Sequence, residues 1–163
     1  QAKAKTLAAV GTNLGEANES AETKATAVVK ATVTDADKQA AVGLNGVITI
    51  PAAACSGGVQ PMKSFLGGLQ AFCGGAFGCE VDVPHPGKYR LTARVVTVQN
   101  ERQVQLTANS AKDSVAMVIP YTCGQWEQTK PVEVALVQGK NVLSFANPAR
   151  GFTFKDITLT PVK

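Results

Sequence analysis

Histidine is nearly absent from this chain. His85, set between Pro84 and Pro86, is the only one. Its neighbours make it a turn residue, and without a second imidazole no Ser-His-Asp set can be assembled elsewhere. Paired carboxylates are missing too. Glu80 and Asp82 share one face of a strand by spacing, where alternate carboxylates are ordinarily solvated. The pairs Gly57-Gly58, Gly67-Gly68 and Gly74-Gly75 lack a following Lys-Ser/Thr, which excludes a phosphate loop. These absences predict a chain that is not an enzyme. Charge is scarce at 17% of residues, against roughly 25% in ordinary soluble proteins. The net charge of +4 is scattered without a Lys/Arg block, so no nucleic-acid partner is expected. No apolar run approaches the ~20 residues of a membrane helix, and no membrane partner is expected. The chain begins at Gln1 with no charged-then-apolar leader, and reads as a mature or excised piece of something larger.

What is present is an apolar fraction of 45% in 163 residues, enough for one core. Surface polarity must come largely from Thr, Ser, Asn and Gln, a balance common in secreted β-rich proteins. The four cysteines are Cys55, Cys73, Cys79 and Cys123. Their even number favours two disulfides among three pairings that sequence leaves open. Free thiols and a metal site are the alternatives, and the missing CxxC argues against the metal.

Leu7, Val10 and Leu14 have helical spacing, weakened by Gly11 and Gly15. Residues 1–24 therefore read as a tail or linker, with a short helix as the alternative, and residues 25–163 as the folded domain. A Thr/Val-rich strand is expected over 25–33. Asn45-Gly46 marks a hairpin, because a type I′ turn needs positive φ at both central positions. Residues 51–78 read as one long crosslinked loop, with some strand near 62–66. From Cys79 onward, apolar alternation and turn residues at short intervals give a run of strands. Tyr89, Leu91, Ala93, Val95 and Thr97 share one face, and 115–119 reads as a buried run. The pattern is all-β, an antiparallel β-sandwich.

If consecutive strands are antiparallel, alternate loops share an end. One end then gathers loops 99–102, 120–125 and 147–151, together with 67–78 and, by reach, 51–61. It would also carry all four cysteines. The opposite end holds 84–88, 109–114 and 138–140, which look structural. The first end holds Gln99, Asn100, Tyr121, Trp126, Asn147 and Arg150. An aromatic face that stacks on C–H groups, with planar polar side chains that read hydroxyls, is the chemistry of sugar binding. Each residue has a blander reading: Trp126 as a core anchor, Asn147 before Pro148 as a turn residue, Arg150 as a solvated cation.

Ordered segments carry a resemblance: 83–91 (VPHPGKYRL), 124–126 (GQW), 136–143 (LVQGKNVL) and 154–159 (FKDITL). Together they resemble the galactose-binding-like jelly roll of family 6 and family 35 carbohydrate-binding modules, over about residues 47–163. The segments 50–56 (IPAAACS) and 64–68 (SFLGG) look like the C-terminal appendage of large exported bacterial proteins. The resemblance implies a jelly roll that binds a poly- or oligosaccharide at its loop end, with Asn147 among the hydroxyl readers. It implies a secreted, cell-surface or periplasmic location, and carbohydrate or other domains of a parent protein as partners. In that family an acidic pair near the first strand often holds a structural calcium with an Asp of the closing strand. Asp156 matches the latter, but 51–54 is Pro-Ala-Ala-Ala, so no cofactor is expected. The alternative is a structural or protein-interaction sandwich without a sugar ligand, which an apolar patch of Phe65, Phe72 and Phe77 would favour.

Overall fold

A computed structural model describes residues 32–65, 67–146 and 151–163. The expected tail and most of the strand expected over 25–33 lie outside these residues, as do Asn147 and Arg150. Eleven strands follow in order: β1 (Ala41–Val42), β2 (Ile48–Pro51), β3 (Cys55–Lys63), β4 (Leu69–Val83), β5 (Gly87–Val96) and β6 (Arg102–Ala108), then β7 (Val115–Ile119), β8 (Glu127–Gln128), β9 (Val132–Leu136), β10 (Gly139–Ala146) and β11 (Phe152–Pro161). Every pairing is antiparallel. One layer runs β1-β2-β11-β5-β9, with β8 beside β5, and the other β3-β4-β10-β6-β7. The layers join where Ala71–Cys73 of β4 pairs with Phe152–Phe154 of β11. The expected all-β sandwich is the architecture found.

Alternation builds the layers. Tyr89, Leu91, Ala93, Val95 and Thr97 all point inward and are at most 6% exposed. Ile157 and Leu159 lie beside them on the paired β11, and Val81, Val83, Leu143 and Phe145 join the same core from the other layer. Burying each such large side chain contributes about 1.5–3 kcal/mol. Phe77 stacks on Phe145 with centroids 4.5 Å apart and on Phe154 at 5.2 Å. The turn at Asn45-Gly46 has φ of 59° and 73° and pairs Ala41 with Thr49, the conformation its sequence demands.

Three expectations are corrected. Residues 51–78 are not a long loop. After a 3-10 turn at Ala52–Ala54, β3 and β4 form a hairpin whose glycines serve packing. A Cβ on Gly58 would stand 2.6 Å from the Gly75 backbone, so a three-residue bulge at 74–76 fits against it only because Gly58 has no side chain. Second, 115–119 is an edge strand with only Met117 and Ile119 buried. Third, one disulfide forms instead of two. Cys55 and Cys79 are directly opposed across β3 and β4 with Cα atoms 4.3 Å apart, and they bond. Cys73 lies opposite Val59, and Cys123 sits in a turn, so both keep their thiols. The disulfide therefore joins two strands within a layer, away from the loop end where the cysteines were expected to cluster.

Candidate functional site

The loop end is tied together by backbone and hydroxyl chemistry. At the end of β5, the Thr97 N–H donates to Thr122 Oγ1 at 2.9 Å, and Thr122 Oγ1 donates back to the Thr97 carbonyl at 3.1 Å. Thr97 Oγ1 donates to the Pro120 carbonyl at 2.8 Å, and the Gly124 N–H to the Thr97 carbonyl at 2.9 Å. Both threonines are buried. Cys123 and Gly124 take φ of 51° and 80° in a turn closed by the Gln125 N–H on the Thr122 carbonyl. Positive φ at both central positions is the type I′ turn. Loops 97–101 and 120–126 thus form one rigid rim.

Arg102, at the start of β6, braces the third side. Its Nη2 donates to Gln99 Oε1 at 2.7 Å and to the Asn100 carbonyl at 3.3 Å, and its Nη1 reaches the Gly151 carbonyl at 3.4 Å. Beside it lies a shallow depression of about 220 Å³ lined by Phe72, residues 96–99 and residues 151–153. Directly opposed residues on a sheet face the same side. Gln60, Phe72, Thr153 and Val96 therefore form one outward row across β3, β4, β11 and β5.

Of the sequence-predicted residues, Gln99 lines this depression. Asn100 serves it through its carbonyl. Tyr121 is 52% exposed on the neighbouring loop, and Trp126 is half-buried at the end of that loop, neither core nor fully exposed. The two aromatics do not line the depression. The neighbouring Cys123 side chain pushes the Tyr121 phenol above its ordinary value, by hydrogen bonding first and by electrostatic interaction second. Asn147 and Arg150 lie outside the described residues. The sequence reading placed Phe72 only in an apolar patch, and Arg102 nowhere. Phe72 sits among glycines that suggest a loop, although Ala71 and Cys73 on either side are both buried and mark it as outward-facing. Nothing in sequence marks Arg102 as a brace.

A larger cleft of about 490 Å³ lies at the opposite end, among Pro84, His85, Pro86, Pro161 and Val42. Its aromatic floor, Tyr89, is 2% exposed and spends its hydroxyl on the His85 carbonyl at 2.8 Å. Its exposed aromatic ring is the small imidazole of His85, whereas the phenyl ring of Phe72 at the loop end is 40% exposed. The phenylalanine patch that would favour a protein-interaction domain does not form, because Phe77 is in the core.

The residues do not fit a calcium at Asp156. Asp156 lies opposite Pro51 on one side and Arg94 on the other, and its Oδ2 accepts from Arg94 Nη2 at 2.6 Å. Calcium takes about six to eight oxygens. Among the described residues no three His, Cys, Asp or Glu side chains converge.

No family model and no curated protein sequence matches this chain. Solved structures do. A Podospora anserina GH26-CBM35 β-(1,4)-mannanase is 17% identical with a TM-score of 0.62, over 73% of this chain and 28% of that one. A family 35 carbohydrate-binding module from Clostridium thermocellum is 17% identical with a TM-score of 0.59, over 69% of this chain and 97% of its own. A CBM35 from Paenibacillus barcinonensis is 16% identical with a TM-score of 0.61, over 70% and 98%. The chain spans under a third of the mannanase and nearly all of each separate module, so the fold it shares is the β-sandwich of family 35 carbohydrate-binding modules.

Proposed function

We propose that this chain is a non-catalytic carbohydrate-binding module, joined to a larger exported bacterial protein and working outside the cell. Its ligand is a poly- or oligosaccharide held at the loop end. The observation that carries this reading is the rigid rim at residues 97–101 and 120–126. It stands beside a depression with an exposed aromatic ring, on the fold of family 35 modules. A preformed rim loses little entropy when a ligand arrives. The absence of a second histidine and the distance of His85 from this end support binding without catalysis. The Cys55–Cys79 disulfide suits an oxidising compartment.

Native affinity electrophoresis over neutral and acidic polysaccharides tests the reading. Retardation by at least one polysaccharide, with no release of reducing sugar on long incubation, is the expected result. Free migration in every gel would overturn it.

A further inference from the structure

We propose that Phe72, not Tyr121 or Trp126, is the platform on which the sugar stacks, and that the ligand presents it with the apolar C–H face of a pyranose. This rests on the carbohydrate-binding reading above. The ring is held in a slot made by two glycines. A Cβ on Gly74 would come within 3.2 Å of Phe72 Cε1, and one on Gly151 would collide with Cζ and Cε2 of the same ring. The ring therefore lies against the Gly151 backbone, leaving its remaining surface toward the depression, at 40% exposure. Its position on the seam where β4 pairs with β11 makes it rigid, because strand-borne side chains hold a geometry better than loop-borne ones.

Polar groups surround the ring at the places where ring hydroxyls would project. Gln60 and Thr153 flank it in the cross-strand row. Gln99 stands on the rim with its Oε1 fixed by Arg102, leaving its amide NH₂ to donate to a sugar oxygen. The Arg102 guanidinium is spent on Gln99, Asn100 and Gly151. It acts as a brace and not as a carboxylate clamp. The recognition expected is of a neutral sugar through one apolar face and its edge hydroxyls.

The test uses the polysaccharide that retards the wild-type chain most. Phe72→Ala, Phe72→Tyr, Tyr121→Ala and Trp126→Ala are compared, each with its thermal midpoint and near-ultraviolet circular dichroism. The proposal predicts a loss of about tenfold or more in affinity for Phe72→Ala at an unchanged fold, and wild-type affinity within about threefold for Phe72→Tyr. It predicts smaller losses for the two loop aromatics. Should Phe72→Ala unfold, proton spectra of an oligosaccharide titrated with the wild type decide. Sugar C–H resonances shifted upfield, with contacts to the Phe72 ring protons, support the platform. Affinity of a folded Phe72→Ala within twofold of wild type, or contacts only to Trp126 or Tyr121, overturns it and leaves the module reading intact. Failure of the wild type on every glycan overturns both.

Discussion

Asn141 shows how much one buried polar side chain can carry. It is fully buried, donates to the Val137 and Gly139 carbonyls at 2.7 and 2.8 Å, and accepts from the Val137 N–H at 3.0 Å and from Asn109 Nδ2. Asn141→Ala would leave those groups unpaired inside the protein. It should cost about 2–4 kcal/mol in urea denaturation, without touching the loop end. The two thiols make a contrasting pair. Burial pushes Cys73 from an ordinary value near 9 up to about 11, against a weaker opposing pull from the Gly75 backbone. Cys123 is exposed. A disulfide reagent at about pH 8 should titrate Cys123 at once and Cys73 only on unfolding. The linkage has a definite sign. The unfolded chain releases the Cys73 proton first, so the stability Cys73 confers is full below about pH 9 and declines as pH rises toward about 11. Denaturation midpoints should fall across that window more steeply in wild type than in Cys73→Ala.

Among the elements, β5 and β10 were legible from alternation, β11 as a run of strand residues although a bulge between Phe154 and Asp156 shifts its phase, and the β1–β2 hairpin from Asn45-Gly46. The β3–β4 hairpin was not. Its glycines carry the signature of a loop, and although the inward positions keep a period of two through the bulge, the small residues at 74–76 leave no apolar side chain there to reveal a strand. Inward-facing Ala71 and Cys73 precede the bulge, while Phe77, Cys79, Val81 and Val83 follow it. That misreading hid Phe72's place on a strand and put Cys55 and Cys79 at the loop end, where only Cys73, opposite Phe152, and Cys123, in the rim turn, are found. The loop end itself was found by parity, because every pairing is antiparallel. The depression was not, because it depends on which strands meet at the β4–β11 seam, a long-range fact no local pattern encodes. Two predictions belong to this hairpin. Replacing Cys55 and Cys79 together by Ala should lower stability by about 3 kcal/mol, measured against wild type without reductant. Gly58→Ala, whose Cβ would meet the Gly75 backbone at 2.6 Å, should destabilise by about 1–3 kcal/mol through overpacking.

For the whole molecule, the sandwich is a frame that separates two ends. One is closed by short turns and a cleft whose aromatic floor is buried. The other carries a braced rim and an exposed ring. The stability of the frame should not depend on calcium, since Arg94 already neutralises Asp156 and the acidic partners such a site needs are alanines. A thermal midpoint unchanged between excess chelator and millimolar calcium is the expected result. The most direct test of the account is an amide-resolved NMR titration of the chain with the oligosaccharide of the polysaccharide that retards it. Perturbations confined to residues 72–74, 97–102, 120–126 and 151–153 are predicted. Perturbations centred on residues 84–89 and 161–162, or none with any glycan, would contradict it.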